Sequence, residues 1–235
     1  MVATLQNQMI RFFLTIIASQ FLFKGTLYSQ RNDDAQLWEN IYLEKNLTQR
    51  LAIHLNQEGR LTENCTTPNY IYGDLGITYN VNKHLHLSVA YVPISKRTNT
   101  GYVSFRQQFY FNFVLKYKFH HFVFYDRQMF QNQYNDIDRS ANWDVPDYYL
   151  RNKVTVKYKN KSRFTPYVAE EVYFKLDYFH RNGREIDRMR YFAGTFYELN
   201  AVDSLEFYYL IEPHFHIFNP FTNWIMGIGY SHSFY

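Results

Sequence analysis

The chain carries one cysteine, Cys65, among 235 residues. It therefore has no intramolecular disulfide and no thiolate metal cluster. Its 9 glycines and 6 prolines are too few for a collagenous or low-complexity chain. Beyond the N-terminal segment, no stretch stays apolar for the roughly 18 residues that a membrane-spanning helix needs. Neither sign of charge dominates: 25 Lys and Arg face 21 Asp and Glu, interspersed, for a net charge of +4. No nucleic-acid-binding motif accompanies that balance, so nucleic acid is not an expected partner. A G-x-S-x-G elbow is also missing.

Aromatic residues are abundant. They make up 20% of the chain, with 23 Tyr and 22 Phe, yet the mean hydropathy is −0.44. A soluble core would leave half of these rings in water. A barrel with an aromatic girdle toward lipid and a polar lumen accommodates both properties. The arrangement of the residues agrees. From Leu37 to Tyr235 apolar and polar residues alternate, as in Phe105, Gln107, Phe109, Phe111, Phe113, Leu115 and Tyr117 against Arg106, Gln108, Tyr110, Asn112, Lys116 and Lys118. Period-two alternation gives a strand one apolar and one polar face. The runs exceed the usual 5–6 residues of a soluble strand and match the roughly 9–11 residues of a tilted membrane-crossing strand. The expected fold is all-β, an antiparallel up-and-down transmembrane β-barrel of about 10–12 strands.

Strands are expected at 35–45, 49–61, 68–80, 83–94, 102–118, 120–132, 147–158, 163–176, 187–199, 204–217 and 222–235. Short polar turns, such as Lys45-Asn46 and Asn160-Lys161, alternate strictly with longer segments, such as Ser95–Gly101 and Tyr134–Pro146. In outer-membrane barrels the short turns are periplasmic and the long loops external. These segments number eleven, whereas single-chain bacterial barrels normally have an even count. The first segment is then expected to be a half-strand or plug, or one run hides two strands. Arg11, the apolar run Phe12–Phe23 and Ser29 read as a signal peptide over residues 1–29, with Met9 a neater start. Residues 30–235 then form one outer-membrane barrel domain.

The last strand puts Trp224, Met226, Ile228, Tyr230, His232 and Phe234 on one face. An amphipathic final strand with a terminal aromatic resembles the signal read by the barrel-assembly machinery, an expected partner in biogenesis beside outer-membrane lipid and an unidentified protein. Several runs also resemble domain-of-unknown-function family 2490: Asp33–Glu44, Leu51–Arg60 with Glu58-Gly59-Arg60, Tyr72–Tyr79, Pro166-Tyr167 leading to Glu171, and Asp187–Tyr197. The resemblance spans the mature chain and implies an exported barrel, with no activity attached.

Parity assigns the charged residues. An Arg or Lys at the lipid-facing midplane costs about 2–4 kcal/mol, so charges are expected to point inward or lie at the rims. Inward positions include Glu58, Arg60, Arg106, Lys116, Arg151, Lys153, Lys157, Glu171, Lys175, Arg188, Arg190, Glu206 and Glu212. Glu171 is expected to pair with Arg188 and Arg190 on the next strand. The candidate lumen cluster is Glu171, Arg188, Arg190, Glu58, Arg106 and Arg151, read as an ion-pair network that closes the lumen or as a selectivity filter.

Other chemistry is weaker. His84 and His86, and His214 and His216, share strand faces without a third metal ligand. His120 and His121 are adjacent in a turn. Asp136, Asp138 and Asp144 lack EF-hand spacing. His86 and Ser88 form the one geometric possibility for a hydrolytic pair. No catalytic, metal or cofactor site is assigned. The expected function is a non-enzymatic outer-membrane barrel, either a narrow channel or a structural or accessory component. The alternatives are an outer-membrane lipid-modifying enzyme and a soluble periplasmic lipocalin-like carrier.

Overall fold

A computed structural model describes residues 33–98, 100–135, 137, 146–176, 184–217 and 220–234. The expected signal peptide and most of the acidic 134–146 loop, with Asp136, Asp138 and Asp144, lie outside these residues. Among them are eleven strands and no helix: β1 (Asp34–Asn46), β2 (Leu51–Thr62), β3 (Thr67–Asn80), β4 (Leu85–Arg97), β5 (Val103–Phe119), β6 (Phe122–Tyr134), β7 (Asp147–Tyr158), β8 (Phe164–Leu176), β9 (Arg184–Glu198), β10 (Asp203–Pro213) and β11 (Thr222–Phe234).

Each strand pairs with its sequence neighbours, and β1 meets β11 to close a barrel. All neighbours run antiparallel except at this seam. An odd number of alternating strands leaves the first and last pointing the same way, so β1 and β11 pair in parallel from Asp34↔Asn223 to Lys45↔Phe234. The eleven segments read from the sequence are thus eleven strands, within the expected 10–12, and only the preference for an even count is corrected. β1 is a full strand hydrogen-bonded on both sides, neither a half-strand nor a plug.

Turn lengths also depart from strict alternation. The connection between β2 and β3 shrinks to 63–66, because both strands run on into it. Glu63, Asn64 and Cys65 all take positive φ there (53°, 57° and 64°). The Asp34 carboxylate accepts the backbone N–H groups of Glu63 (3.2 Å) and Asn64 (2.9 Å), and the Ala35 carbonyl accepts that of Cys65 (3.0 Å). These bonds pin the turn to the start of β1. The longest connections follow β6, β8 and β10, on the same end of the barrel, here called the loop end.

The outer wall carries the apolar set. Leu75 is 59% exposed, Val168 57% and Phe105 52%. Inside, an apolar cluster of Trp38, Leu210 and Ile225, flanked by Phe192 and Tyr208, fills one side of the lumen. Gly227 of β11 makes room for it, since a Cβ there would sit 1.9 Å from Cζ of Tyr208. The expectation that all mid-strand charges point inward is overturned at three positions. Glu39, Asp126 and Glu170 face outward between apolar neighbours such as Leu37 and Ile41, or Val168 and Val172. Asp126 is solvated by protein, accepting from Asn152 (2.6 Å) and Gln128 (3.1 Å).

Candidate functional site in the lumen

The inner wall is charged, and its charges converge. At mid-height Glu171 of β8 is 1% exposed. Its Oε1 accepts Nε and Nη2 of Arg151 at 2.9 and 2.7 Å and a hydrogen bond from Arg127, while Arg190 approaches Oε2 at 3.8 Å. Arg190 in turn donates through Nε to Glu212 of β10. The other Glu212 oxygen receives Asn223 at 3.0 Å and faces Nε2 of His214 at 2.9 Å. The network thus crosses six adjacent strands, β6 to β11. A buried carboxylate is tolerated when several charged donors satisfy it, and here three guanidinium groups share that task.

Aromatic faces complete the arrangement. The Arg151, Arg188 and Arg190 guanidinium groups lie 4.2, 4.5 and 4.9 Å from the ring centre of Tyr173. Across the lumen Arg60 pairs with Glu58 at 2.6 Å, and Glu58 also accepts the Tyr72 hydroxyl at 3.0 Å. Arg60 stacks 3.7 Å over Trp38, and Arg190 approaches the same indole at 5.1 Å. Trp38 therefore stands between the two parts of the charge network, in reach of a guanidinium from each.

Toward the short-turn end further polar contacts cross the lumen. Asp74 accepts the Tyr110 hydroxyl at 2.7 Å and meets His54 at 3.3 Å. Tyr167 donates to Glu206 at 2.5 Å, and Lys153 and Lys157 lie 3.9 and 3.8 Å over the rings of Phe192 and Phe196. A cavity of about 610 Å³ occupies the loop-end half. Its deepest wall includes Asn56, Asp74, Tyr110 and Arg127, while Lys153, Lys157, Glu206 and Tyr208 lie beyond it.

Of the six residues proposed from sequence, Glu171, Arg151 and Arg190 form one cluster. Glu58 belongs to the facing pair with Arg60. Arg188 is not a partner of Glu171: it stands opposite Tyr173 in the register, and its Nε lies 3.1 Å from Asp187. Arg106 sits apart near the loop end, donating to Ser104 (3.2 Å) and Asn135 (3.0 Å). Sequence reasoning missed Arg127 and Asp74. Arg127 shares its face with Tyr125 and Met129, which signals its inward position. Asp126 and Gln128 on either side hid that signal by making both faces of β6 polar.

The remaining candidates stay separate. His86 bonds through Nδ1 to Asn80, not to Ser88, and both residues face the lumen. His84 contacts the Lys116 carbonyl (3.0 Å) and His121 the Lys159 carbonyl (3.1 Å). Among the described residues no group of three or more His, Cys, Asp or Glu side chains could hold a metal ion.

A family model described as a protein of unknown function, DUF2490, matches residues 35–216, from β1 to just past β10. The chain belongs to the DUF2490 family. No curated protein and no solved structure matches it. Within this DUF2490 chain, the matched span holds Glu171 with all three of its arginines, and Glu58 with Arg60. Of the groups named in the network, Asn223 alone lies beyond it.

Proposed function

We propose that this DUF2490 barrel resides in the bacterial outer membrane as a non-enzymatic structural or accessory component with a closed lumen. The observation that carries the reading is the two-sided wall: an outside of exposed Phe, Leu, Ile and Val around an inside lined with charged and polar residues that pair at mid-height. A lipocalin-like carrier would leave that outer surface in water, against the rarity of large exposed apolar patches on soluble proteins. The narrow-channel reading is less well supported, because the cavity does not extend past the mid-height network. A lipid-modifying enzyme would need its nucleophile toward the hydrocarbon, and Ser88 and His86 face the lumen. The proposed partners are outer-membrane lipid and the assembly machinery that inserts the barrel.

The test is planar-bilayer recording on purified protein whose insertion is established beforehand by a mobility difference between boiled and unboiled samples. Inserted protein is expected to give no unitary conductance steps. Reproducible steps from the unmodified chain would overturn the closed lumen and restore the channel, with ion preference then assignable to the Glu171 cluster.

A further inference from the structure

The ion pairs described above leave a remainder, and it gathers in one place. Around the loop-end cavity, Glu58 is neutralised by Arg60 and Glu212 by Arg190. Asp34 is occupied by backbone N–H groups, Asp74 by Tyr110 and His54, and Glu63, at the rim, accepts the Thr67 hydroxyl at 2.8 Å. Lys96 of β4 and Arg106 of β5 have no carboxylate partner among the described residues, and both line the cavity. They are diagonal neighbours in the sheet, since Lys96 pairs with Ser104 and Ile94 with Arg106. The charges acting most strongly on Lys96 are Arg106, Arg188 and Arg60, all of its own sign, with Glu212 the opposing one. Arg188 enters the same cavity from β9, across the barrel, with its Nε 3.1 Å from Asp187 and its guanidinium facing the lumen beside Tyr173. Tyr70, under the Arg60 guanidinium at 4.4 Å, experiences Arg188 and Arg106 as well.

Like charges in a confined, weakly polar space repel unless an anion lies between them. Arginine and lysine donors around a concave site of a few hundred Å³ are what a phosphate group requires. We propose that the loop-end cavity binds a phosphoryl group through Lys96, Arg106 and Arg188. The group would belong either to a lipid headgroup or to a free phosphorylated solute, because a phosphomonoester presents the same anionic oxygens in both. The Tyr70 hydroxyl stands among the same cations as a further donor. This site goes beyond the closed-barrel reading and does not depend on it, since a cavity in the loop-end half binds a ligand whether or not the barrel conducts.

The experiment compares binding to purified, detergent-solubilised barrel by calorimetry and by the shift of its unfolding temperature. The probes are inorganic phosphate, glycerol 3-phosphate and phosphatidic acid dispersed in the same detergent, with sodium chloride as the ionic-strength control. At least one phosphate probe is expected to bind and to raise the unfolding temperature beyond the chloride control. Lys96→Gln and Arg106→Gln are each expected to weaken that binding about tenfold or more, and Lys161→Gln, at the opposite end, to leave it unchanged. Lys96 has no ion pair or hydrogen bond among the described residues, so Lys96→Gln is expected to fold as the parent does, with an equal or higher unfolding temperature in phosphate-free buffer. Binding by the soluble probes assigns the site to a solute, and binding by phosphatidic acid alone assigns it to a headgroup. Absence of binding by all three probes, or equal binding by parent and Lys96→Gln, would overturn the proposal.

Discussion

Glu171 is the residue on which the lumen turns. Three arginines from three strands hold it almost fully out of water, so removing its charge leaves those guanidinium groups without their shared carboxylate. Breaking a buried charge pair on one side costs about 3–5 kcal/mol. Glu171→Gln is accordingly expected to lower stability by that order, read as a lower temperature for loss of the unboiled, compact gel band. Glu170, its sequence neighbour, faces the other way, and the expected sign reverses. With the outer wall in lipid, as proposed, an outward carboxylate amid Val168 and Val172 is a burden, smaller than the roughly 2–4 kcal/mol of a lysine. Glu170→Leu is expected to stabilise the barrel in lipid vesicles by about 1 kcal/mol. A loss of stability there would mean that Glu170 meets a partner rather than lipid. At this scale the sequence was partly legible. Parity placed Glu171, Arg151, Arg190, Glu58 and Glu212 inward. It could not tell that Arg188 meets Tyr173, because that depends on register, nor that Arg127 reaches Glu171 from two strands away.

The strands themselves were the most legible part, because each is long enough for alternation to repeat several times. Expected and observed ends of β7 coincide at 147–158, and those of β8 differ by one residue. The largest miss is β10, expected to reach residue 217 and ending at Pro213. His214 keeps a single bridge to Arg188, and His216 turns to a positive φ of 56°. The chain stops pairing while its apolar alternation continues. Within β11 the fit is set by what a side chain would displace. Gly227→Ala is expected to cost about 1–3 kcal/mol by driving a methyl group into the Tyr208 ring, and Tyr208→Ala in the same chain to recover part of the loss. Gly73→Ala, with nothing within 4 Å of its added Cβ, is the control expected to pass without steric effect. Urea-induced loss of barrel mobility would rank the four chains.

For the molecule as a whole, the barrel was legible in the sequence, but the parallel seam that closes it was not. Alternation reports which face a residue takes and says nothing of which strand lies beside the first, so an odd count looked like an error when it was the architecture. A closed ladder has no free edge from which to fray. The barrel is therefore expected to lose its compact form in one cooperative step on heating, with boiled and unboiled samples giving two gel bands and no third. A ladder of partly opened species would contradict a fully paired seam. The parallel seam also fixes where the wall begins and ends. β1 starts at the loop end and β11 finishes at the short-turn end, separated by the length of Thr222–Phe234, roughly 40 Å along the strand. A tag ahead of Asp34 and one behind Phe234 would be read by reagents on opposite sides of any layer the barrel occupies. A circular permutant would need a linker as tall as the protein itself.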